Sequence, residues 1–323
     1  MKKIFYGALA LAAIVACNKD VEVKQETPAA ITFDNSFVEI KTRAAADPSI
    51  TTASIDAFDV WAYMDNTAAV VLDAERVTKG ADGWSYENLQ YWTANHSYYF
   101  GAIAPVDNEN IKVDTATADE YGLGKVTFTN VDGTVDLIYA SKKVVTGADV
   151  LYNDPGKVHL QFAHQLAKVK FTFTNGFTNK NTKVVVKDIK MVAPASGYVE
   201  LATGKWWAET NSTVALAFGD VNAGAQLEIN ETAECDNERL TIPCDENRTY
   251  TITFTVELYH GTYDVPAYSE QKEITITGQA LKIGKNYNFT ATINAENLDL
   301  LPIEFDVIEV NEWVEDTAKE LEF

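Results

Sequence analysis

The sequence predicts an all-β protein made of antiparallel β-sandwiches, and three observations support this prediction. Apolar and polar residues alternate with a period of two over many short runs, as in "TYTITFTVELYHG", which begins at Thr249. Gly, Asn and Asp separate these runs at intervals of about 8 to 15 residues, which is typical of sandwiches. No segment longer than about three turns carries a helical stripe of apolar residues.

The first residues, "MKKIFYGALALAAIVACNKD", have the features of an export signal. Two lysines precede an apolar run that is shorter than the about 20 residues of a membrane-spanning helix. The end of this run, "IVAC", resembles a bacterial lipobox, in which Cys17 becomes the lipidated first residue of the mature protein. We therefore expect residues 1–17 to be a lipoprotein signal peptide. An ordinary signal peptide with a coincidental cysteine is the alternative.

The rest of the chain divides into a tether and two halves. Residues 18–43 begin with the polar stretch "NKDVEVKQETPAA", which is typical of a tether, and continue as a strand-like run from Ile31 to Ile40. A first half at residues 44–155 holds most of the clustered aromatic residues, and a second half covers residues 156–323. The turn-rich "NDPG" marks the boundary, and the length of the chain agrees with about two domains at about 150 residues each.

Alternation also predicts which side chains face a core. Two strand-like runs put their apolar residues on one face: Phe58, Val60, Ala62 and Met64 in the first half, and Tyr250, Ile252, Phe254, Val256 and Leu258 in the second. His164 continues the even-numbered frame of Leu160 and Phe162. We therefore predict that His164 faces a core and is satisfied by hydrogen bonds.

Charge and motifs exclude several functions. Lys and Arg total 26 against 47 Asp and Glu, so the formal charge of −21 repels nucleic-acid backbones and anionic membrane surfaces. The four histidines do not cluster with cysteines at zinc-ligand spacing, and no nucleophile elbow, zinc-protease motif or phosphate-binding glycine loop occurs. We therefore expect no enzymatic activity, no metal and no cofactor.

Two further patterns leave alternatives open. Cys235 and Cys244 flank "DNERLTIP", and they could close a small loop as a disulfide in an oxidising compartment or remain two buried thiols. The aromatic run "GWSYENLQYWTANHSYYFGAIAP" could present a sugar-stacking platform, whose rings would be Trp84, Tyr86, Tyr91 and Trp92, or fill a sandwich core.

The two ends of the chain share an apolar pattern. "ITFDNSFVEI" starts at Ile31 and "IEFDVIEVNEW" starts at Ile303, and both open with Ile-x-Phe-Asp. After a short intervening stretch, both segments continue with an apolar residue on each side of a glutamate. The length of this stretch matters, because one inserted residue sends the following side chains to the opposite face of a strand. Two such segments could fill the same groove, and chance similarity between β-rich decapeptides is the alternative.

At this point the sequence resembles the fimbrillin family of type V pilus subunits from Bacteroidales. The resemblance covers nearly the whole chain. It rests on the lipobox at Cys17, the arginine before an alanine run at Arg43, the aromatic run, and an ordered set of strings: "DAFDVWAYM", "DLIYA", "VHLQFAHQLAKVKF", "GYVELATGKW" and "LKIGKNYNFTATI".

The resemblance implies two tandem transthyretin-like β-sandwich domains and assembly by strand exchange. An arginine-specific protease would cut between Arg43 and Ala44, remove the N-terminal strand, and open a groove for the C-terminal strand of another pilin subunit. The displaced strand would use Ile31, Phe33, Phe37, Val38 and Ile40. The donor, at residues 303–314, would use Ile303, Phe305, Val307, Ile308, Val310 and Trp313.

The arginine content agrees with a single cleavage site. The other arginines are Arg76, Arg239 and Arg248, and we expect Arg76 to be the main competitor because we place it in a polar loop. "TRAAAD" supplies small residues that can extend into a protease cleft.

The resemblance leads to a specific prediction of function: a pilus subunit precursor, exported through the periplasm, anchored by lipid to the outer membrane, and assembled at the cell surface for adhesion. The attachment ligand, from host or bacterium, is left open, as are the short O-glycosylation-like patterns at Thr115 and Thr317. The alternatives are an anchor subunit that keeps its N-terminal strand, a tip subunit, and a surface lipoprotein that binds glycans.

Overall fold

A computed structural model describes residues 28–37, 48–51, 53–65, 69–115, 124–148, 156–299 and 303–312. The signal peptide, the scissile bond and several predicted strand residues lie outside these ranges: Cys17, Val38, Ile40, Arg43, Ala44 and Trp313. In the described part of the chain, no helix is long and apolar enough to cross a membrane.

Strands dominate the described residues. Before residue 165 they are β1 (Phe33–Phe37), β2 (Ala57–Met64), β3 (Ala69–Gly80), β4 (Gly83–Ser85), β5 (Ser97–Ala104), β6 (Ile111–Asp114), β7 (Lys125–Thr129), β8 (Ile138–Val145) and β9 (Val158–His164). After it they are β10 (Ala167–Asn175), β11 (Thr182–Pro194), β12 (Ser196–Glu200), β13 (Lys205–Ala208), β14 (Thr213–Gly219), β15 (Thr232–Glu234), β16 (Arg239–Thr241), β17 (Tyr250–His260), β18 (Tyr268–Ile276), β19 (Lys285–Ile293) and β20 (Asp306–Glu312). A five-residue helix, α1 (Ala295–Asp299), precedes β20, and a 3-10 turn spans Asn222–Gly224.

The first sheet has seven strands in the order β1-β9-β8-β5-β2-β3-β4. One of its faces carries a core to which β2, β5 and β9 contribute alternate residues, among them Phe58, Phe100 and Phe162. The segments around β1 and β4 add to this core from the ends of the sheet. As a result, the edge strand β1 helps to enclose the core.

Most of the strands after β9 form a sandwich of two sheets. One sheet has the order β15-β10-β19-β20, with β16 also paired to β10, and the facing sheet has the order β14-β11-β17-β18. Their shared core includes Phe171 from β10, Phe289 from β19 and Phe254 from β17, all fully buried. The predicted inward residues of β17 lie in this core from Tyr250 to Val256, and half-buried Leu258 packs against it. The period-two prediction is therefore confirmed for this strand.

A fourth sheet, β13-β12-β7-β6, joins strands from both sides of the predicted boundary at residue 156. It covers the other face of the first sheet, where Phe128 of β7, Val199 of β12 and Trp61 of β2 share a small core. Moreover, β9 follows the boundary in sequence and yet pairs within the first sheet. Strand pairing thus crosses residue 156, and a division into two domains there stays a prediction.

The all-β prediction is confirmed, with two departures from purely antiparallel pairing. β1 runs parallel to β9, and β10 runs parallel to β19. A parallel pair needs a long crossover connection, and both pairs have one: about 120 residues separate β1 from β9. Short-range alternation does not report on strand direction, so the sequence could not reveal these pairings.

Candidate functional site

The N-terminal segment from Pro28 to Phe37 lies along the edge of the first sheet. Among the described strands β1 pairs only with β9, in a register that sets Phe33 opposite Val158. Just before β1, the Ile31 N–H donates to the Gln90 carbonyl at 2.8 Å, and the Trp92 N–H donates to the Ala29 carbonyl at 3.0 Å. Backbone hydrogen bonds therefore hold the segment on two sides.

Two side chains of this segment fill the first core. Ile31 is fully buried and Phe33 is 2% exposed. The Phe33 ring makes edge contacts with Phe58 at 5.8 Å and with Phe100 at 6.0 Å between centroids. Burial of each of these side chains contributes about 1.5–3 kcal/mol, so removal of β1 would expose an apolar groove. β1 includes Phe37, but the described side chains of the segment end at Asp34.

The residues that precede β2 are bonded to the first sheet at Ile50. The Ile50 N–H donates to Asp136 Oδ2 at 2.9 Å, and the same oxygen lies 2.7 Å from His164 Nδ1. The Asp136 side chain is fully buried, and the Leu137 N–H donates to its other oxygen at 2.8 Å. His164 is buried and hydrogen-bonded, as predicted. This carboxylate thus ties the start of the first half to β8 and β9.

The three other arginines are each held in the described structure. Arg76 lies inside β3 and not in a loop, so the expectation for it is wrong. Its guanidinium bonds Asp59 at 2.5 Å and Asp107 at 2.7 Å, and hydrogen bonds to Asp107 and Asp59 raise the pKa of Arg76. The strand places its side chain across from Asp59 on β2, a pairing that sequence spacing does not show.

Arg239 and Arg248 are restrained to different degrees. Arg239 lies in β16, paired with Val169 of β10, and partial burial lowers its pKa. Arg248 lies in the loop before β17, where its N–H donates to the Asp245 carbonyl at 3.3 Å. Arg248 is therefore the only arginine outside a strand among the described residues.

The predicted donor strand begins inside its own subunit. Ile303 is 2% exposed, and the Phe305 ring lies within 6.4 Å of four rings of the second core, those of Phe171, Phe173, Phe254 and Phe289. Val307 packs against the same core. The role of these three residues as plugs for a neighbour stays a prediction, and it would require this packing to break.

The remainder of the donor forms the edge of the second sandwich. β20 pairs antiparallel with β19, and Ile308 and Val310 lie opposite Asn288 and Asn286. A register shift follows at Lys285. The side chains from Ile308 onward are outside the description, but the backbone pairing shows that β20 has only one neighbouring strand in the described chain.

Cys235 and Cys244 are free thiols in this structure, and a disulfide between them stays a prediction. Cys235 Sγ accepts from the Phe171 N–H at 3.2 Å and donates to the Asn237 carbonyl at 3.1 Å. The backbone of Cys244 forms an isolated antiparallel β-bridge with Leu281. Burial raises the pKa of both thiols to about 11, so both are protonated at neutral pH.

The aromatic run fills a core and does not form one flat platform. Trp92 is 2% exposed and meets Tyr98 edge-on at 4.8 Å. Trp84 packs on Phe58, and the Tyr86 hydroxyl donates to the Ile31 carbonyl at 2.9 Å. Tyr91 is the exposed exception, at 50%. Among the described residues, no group of three or more His, Cys, Asp or Glu side chains could hold a metal ion.

Comparison with known proteins gives one family and a shared fold. A family model described as fimbrillin-like matches residues 42–313 of the chain. The crystal structure of a fimbrial protein from Bacteroides vulgatus ATCC 8482 matches with a TM-score of 0.62 at 16% identity, over 88% of this chain and 99% of that one. A candidate cell adhesion protein from Bacteroides ovatus ATCC 8483 matches with a TM-score of 0.51 at 18% identity, over 89% and 99%. The comparison with curated proteins found no match.

Proposed function

Because the chain belongs to the fimbrillin-like family, we propose that it is the precursor of a pilus subunit that polymerises by strand exchange at the cell surface. The observation that carries the proposal is the position of β1. This strand lies at the edge of its sheet, and Phe33 in the strand and Ile31 just before it fill the first core. Five residues separate the end of β1 from Arg43.

Removal of β1 would leave two unsatisfied features in one place. The backbone groups of β9 that face β1 would lose their partners, and the pocket around Phe58 and Phe100 would lose the Phe33 ring. A strand from another subunit that pairs with β9 and inserts apolar side chains would satisfy both. The groove therefore favours a second copy of the chain as its occupant.

Maturation is proposed to occur by an arginine-specific protease at the Arg43–Ala44 bond. The competing bonds after Arg76 and Arg239 lie within paired strands, whose backbone groups are already bonded to neighbouring strands and cannot pair with a protease cleft. After the cut, the bond from Ile50 to Asp136 would keep the new N-terminus attached to the first sheet.

We propose a narrower donor than residues 303–314. Ile303 fills the core of its own subunit, and the partly buried Phe305 and Val307 pack against this core, so the withdrawal of Phe305 costs about 3 kcal/mol. We propose Ile308, Val310 and Trp313 as the plugs, because β20 pairs with β19 and with no other strand of the described chain. Ile303 and Phe305 would then anchor the donor in the subunit that supplies it.

The lipid anchor at Cys17, export through the periplasm and location at the outer membrane belong to the same proposal. They rest on the lipobox pattern of residues 1–17. The surface adhesion proposed for the polymer is the role that family membership favours, and such a role needs no enzymatic chemistry.

Substitution of the proposed scissile arginine tests this function. Arg43→Ala should leave a folded, lipid-anchored protein that keeps β1 and forms no polymer ladder on denaturant-free gels. Lys41→Ala is the matched control, because it removes a neighbouring positive charge and leaves the arginine. This control should mature and polymerise normally.

The mature N-terminal residue, read by mass spectrometry, separates the alternatives. A stalk subunit begins at Ala44, whereas an anchor subunit keeps an intact Arg43–Ala44 bond and begins at Cys17. Polymer ladders of normal length from Arg43→Ala would contradict the proposed maturation.

A further inference from the structure

The exposed aromatic residue of greatest interest is Trp207 in β13, which is 43% exposed. Its neighbour Trp206 faces inward, where its Nε1–H donates to the Gln165 carbonyl at 2.7 Å and its ring meets Phe128 edge-on. Since successive residues of a strand face opposite sides, Trp207 lies on the outer face of the sheet β13-β12-β7-β6. The core therefore does not require Trp207.

The outer face around Trp207 is organised and mostly polar. Trp207 and Tyr198 are directly opposite on adjacent strands, and their rings are nearly parallel at 6.3 Å. Lys205 lies 3.8 Å from the Trp207 centroid and Lys125 lies 4.4 Å from the Tyr198 centroid. These cation–π contacts fix the two rings in place. A ligand beside Trp207 would contact the part of this side chain that Lys205 and Tyr198 leave exposed.

A cleft of about 350 Å³ opens beside this ring. Its polar lining includes Thr210, Asp245, Asn247 and Arg248, and the remaining wall is formed by Trp206, Ala208, Pro243 and Cys244. The volume lies within the range of small-molecule sites, about 300–1,000 Å³. The cleft thus combines one exposed indole with hydroxyl, carboxylate, amide and guanidinium groups.

The polar wall is held by its own hydrogen bonds. The Asn247 N–H donates to Asp245 Oδ1 at 3.0 Å, and the Arg248 N–H donates to the Asp245 carbonyl at 3.3 Å. The Arg248 guanidinium reaches the Glu209 carbonyl at 3.5 Å. A tight turn therefore presents these side chains together, which reduces the ordering cost of binding.

We propose that this cleft binds a neutral hexose unit of a glycan. A hexose has an apolar C–H face that can pack on an indole ring, and its neighbouring hydroxyls can both donate and accept hydrogen bonds. The cleft has acceptors on Asp245 and donors on Arg248, so it offers no excess of positive charge to select an anionic sugar or a phosphate. A purely apolar ligand would leave these polar groups unpaired.

This site is independent of strand exchange. The cleft is formed by β13 and the loop before β17, and neither β1 nor β20 contributes to its wall. Monomeric protein can therefore be assayed, and failure of sugar binding would leave the proposed assembly mechanism unaffected.

The test is saturation-transfer NMR on the purified protein with three probes: methyl β-galactoside, methyl β-glucoside and methyl α-mannoside. We expect at least one probe to bind with a dissociation constant on the order of 1 mM, as for small shallow sites. Trp207→Ala should weaken binding about tenfold, and Trp207→Phe, which keeps an aromatic face, should weaken it about threefold. Tyr263→Ala is the control, since Tyr263 is 71% exposed and lies outside the cleft.

A second variant guards against a folding effect of the Trp207 substitution. Arg248→Gln keeps a polar side chain, removes the guanidinium, and should also weaken binding, with an unchanged melting temperature. The proposal is overturned if none of the three probes binds at about 10 mM, ten times the expected constant. It is equally overturned if a probe binds Trp207→Ala and Arg248→Gln as tightly as it binds the control.

Discussion

At the scale of single residues, aromatic side chains do most to define the two cores. Phe33 occupies the first core and Phe305 the second, and each ring touches other rings edge-on. Such contacts add about 0.5–1.5 kcal/mol per pair to the hydrophobic gain. Both residues come from the terminal Ile-x-Phe-Asp segments, so the shared pattern has the same packing role at the two ends of the chain.

Phe305→Ala should therefore destabilise the monomer by about 3 kcal/mol, the lower end of the range for a Phe, because this partly buried ring packs among four aromatic neighbours. Urea unfolding followed by fluorescence measures this loss. Val265→Ala is the control, since Val265 is 75% exposed and its truncation should change stability by less than about 0.5 kcal/mol. A loss at Phe305 no larger than that of the control would show that β20 does not pack as described.

At the scale of elements, β1 and β20 are both edge strands, but they differ in pairing. β1 is parallel to β9, whereas β20 is antiparallel to β19. Edge strands expose a row of backbone groups and can be exchanged without disruption of the sheet interior. The two strands that take part in the proposed exchange therefore both lie at sheet edges.

Truncation separates the two roles proposed for the C-terminal segment. A chain that ends at Val307 keeps Ile303, Phe305 and Val307 and loses the proposed donor, which starts at Ile308. We therefore expect a normal melting temperature and no polymer growth. A chain that ends at Leu301 also loses Ile303 and Phe305, and it should melt at a lower temperature. Gel ladders and thermal melts measure the two effects.

The narrower donor would be wrong if the chain that ends at Val307 still polymerised. It would also be wrong if this chain melted as early as the shorter one, because Ile303 and Phe305 would then add nothing to the core. The full-length chain is the reference in both measurements.

At the scale of the whole molecule, carboxylate side chains outnumber the lysines and arginines that can pair with them. The formal charge is −21, and the described lysines and arginines are used repeatedly in ion pairs across strands. Hydrogen bonds from Arg76 lower the pKa of Asp107, and a hydrogen bond from Lys187 lowers the pKa of Glu257. In both cases the folded state favours the ionised carboxylate.

These shifts predict a loss of stability in acid. A carboxyl group with a lowered pKa in the folded state stabilises the protein fully above its unfolded pKa, about 3.9 for Asp and 4.3 for Glu. This contribution disappears as the pH falls through the lower folded pKa. Urea midpoints should therefore be flat from pH 7 to about 5 and fall below about pH 4.

Glu257→Gln gives the matched control for this acid effect. It removes one pair that is partly exposed to solvent, so stability at pH 7 should fall by about 0.5 kcal/mol and the fall below pH 4 should become smaller. A variant with an unchanged acid profile would show that this pair contributes nothing to the pH dependence.

The sequence predicts local features well and long-range ones poorly. The inward faces of β2 and β17 and the buried, hydrogen-bonded state of His164 follow from alternation, because side-chain direction has a fixed period within a strand. The placement of Arg76 in a loop is wrong, because its strand is polar and is held by pairing with β2 and by Asp107. Nothing in the local sequence signals either partner.

The candidate sites show the same division. The Ile-x-Phe-Asp repeats single out β1 and the start of β20, because a repeated apolar pattern is visible in the chain itself. The aromatic run does not predict the proposed sugar site: it fills the first core around Trp92, while Trp207 lies outside the run and is exposed. Aromatic composition alone does not distinguish a core from a surface, because either placement satisfies a flat apolar ring.

By itself, the sequence determined the all-β class, the family, the inward faces of several strands and the apolar pattern that the two terminal segments share. Only the tertiary structure decided that β1 and β20 lie at sheet edges, that β9 joins the first sheet, and that Phe305 belongs to its own subunit. The physical reason is the distance along the chain over which each kind of signal acts. Alternation and turns act over a few residues, whereas an edge exists only after strands far apart in the chain have paired.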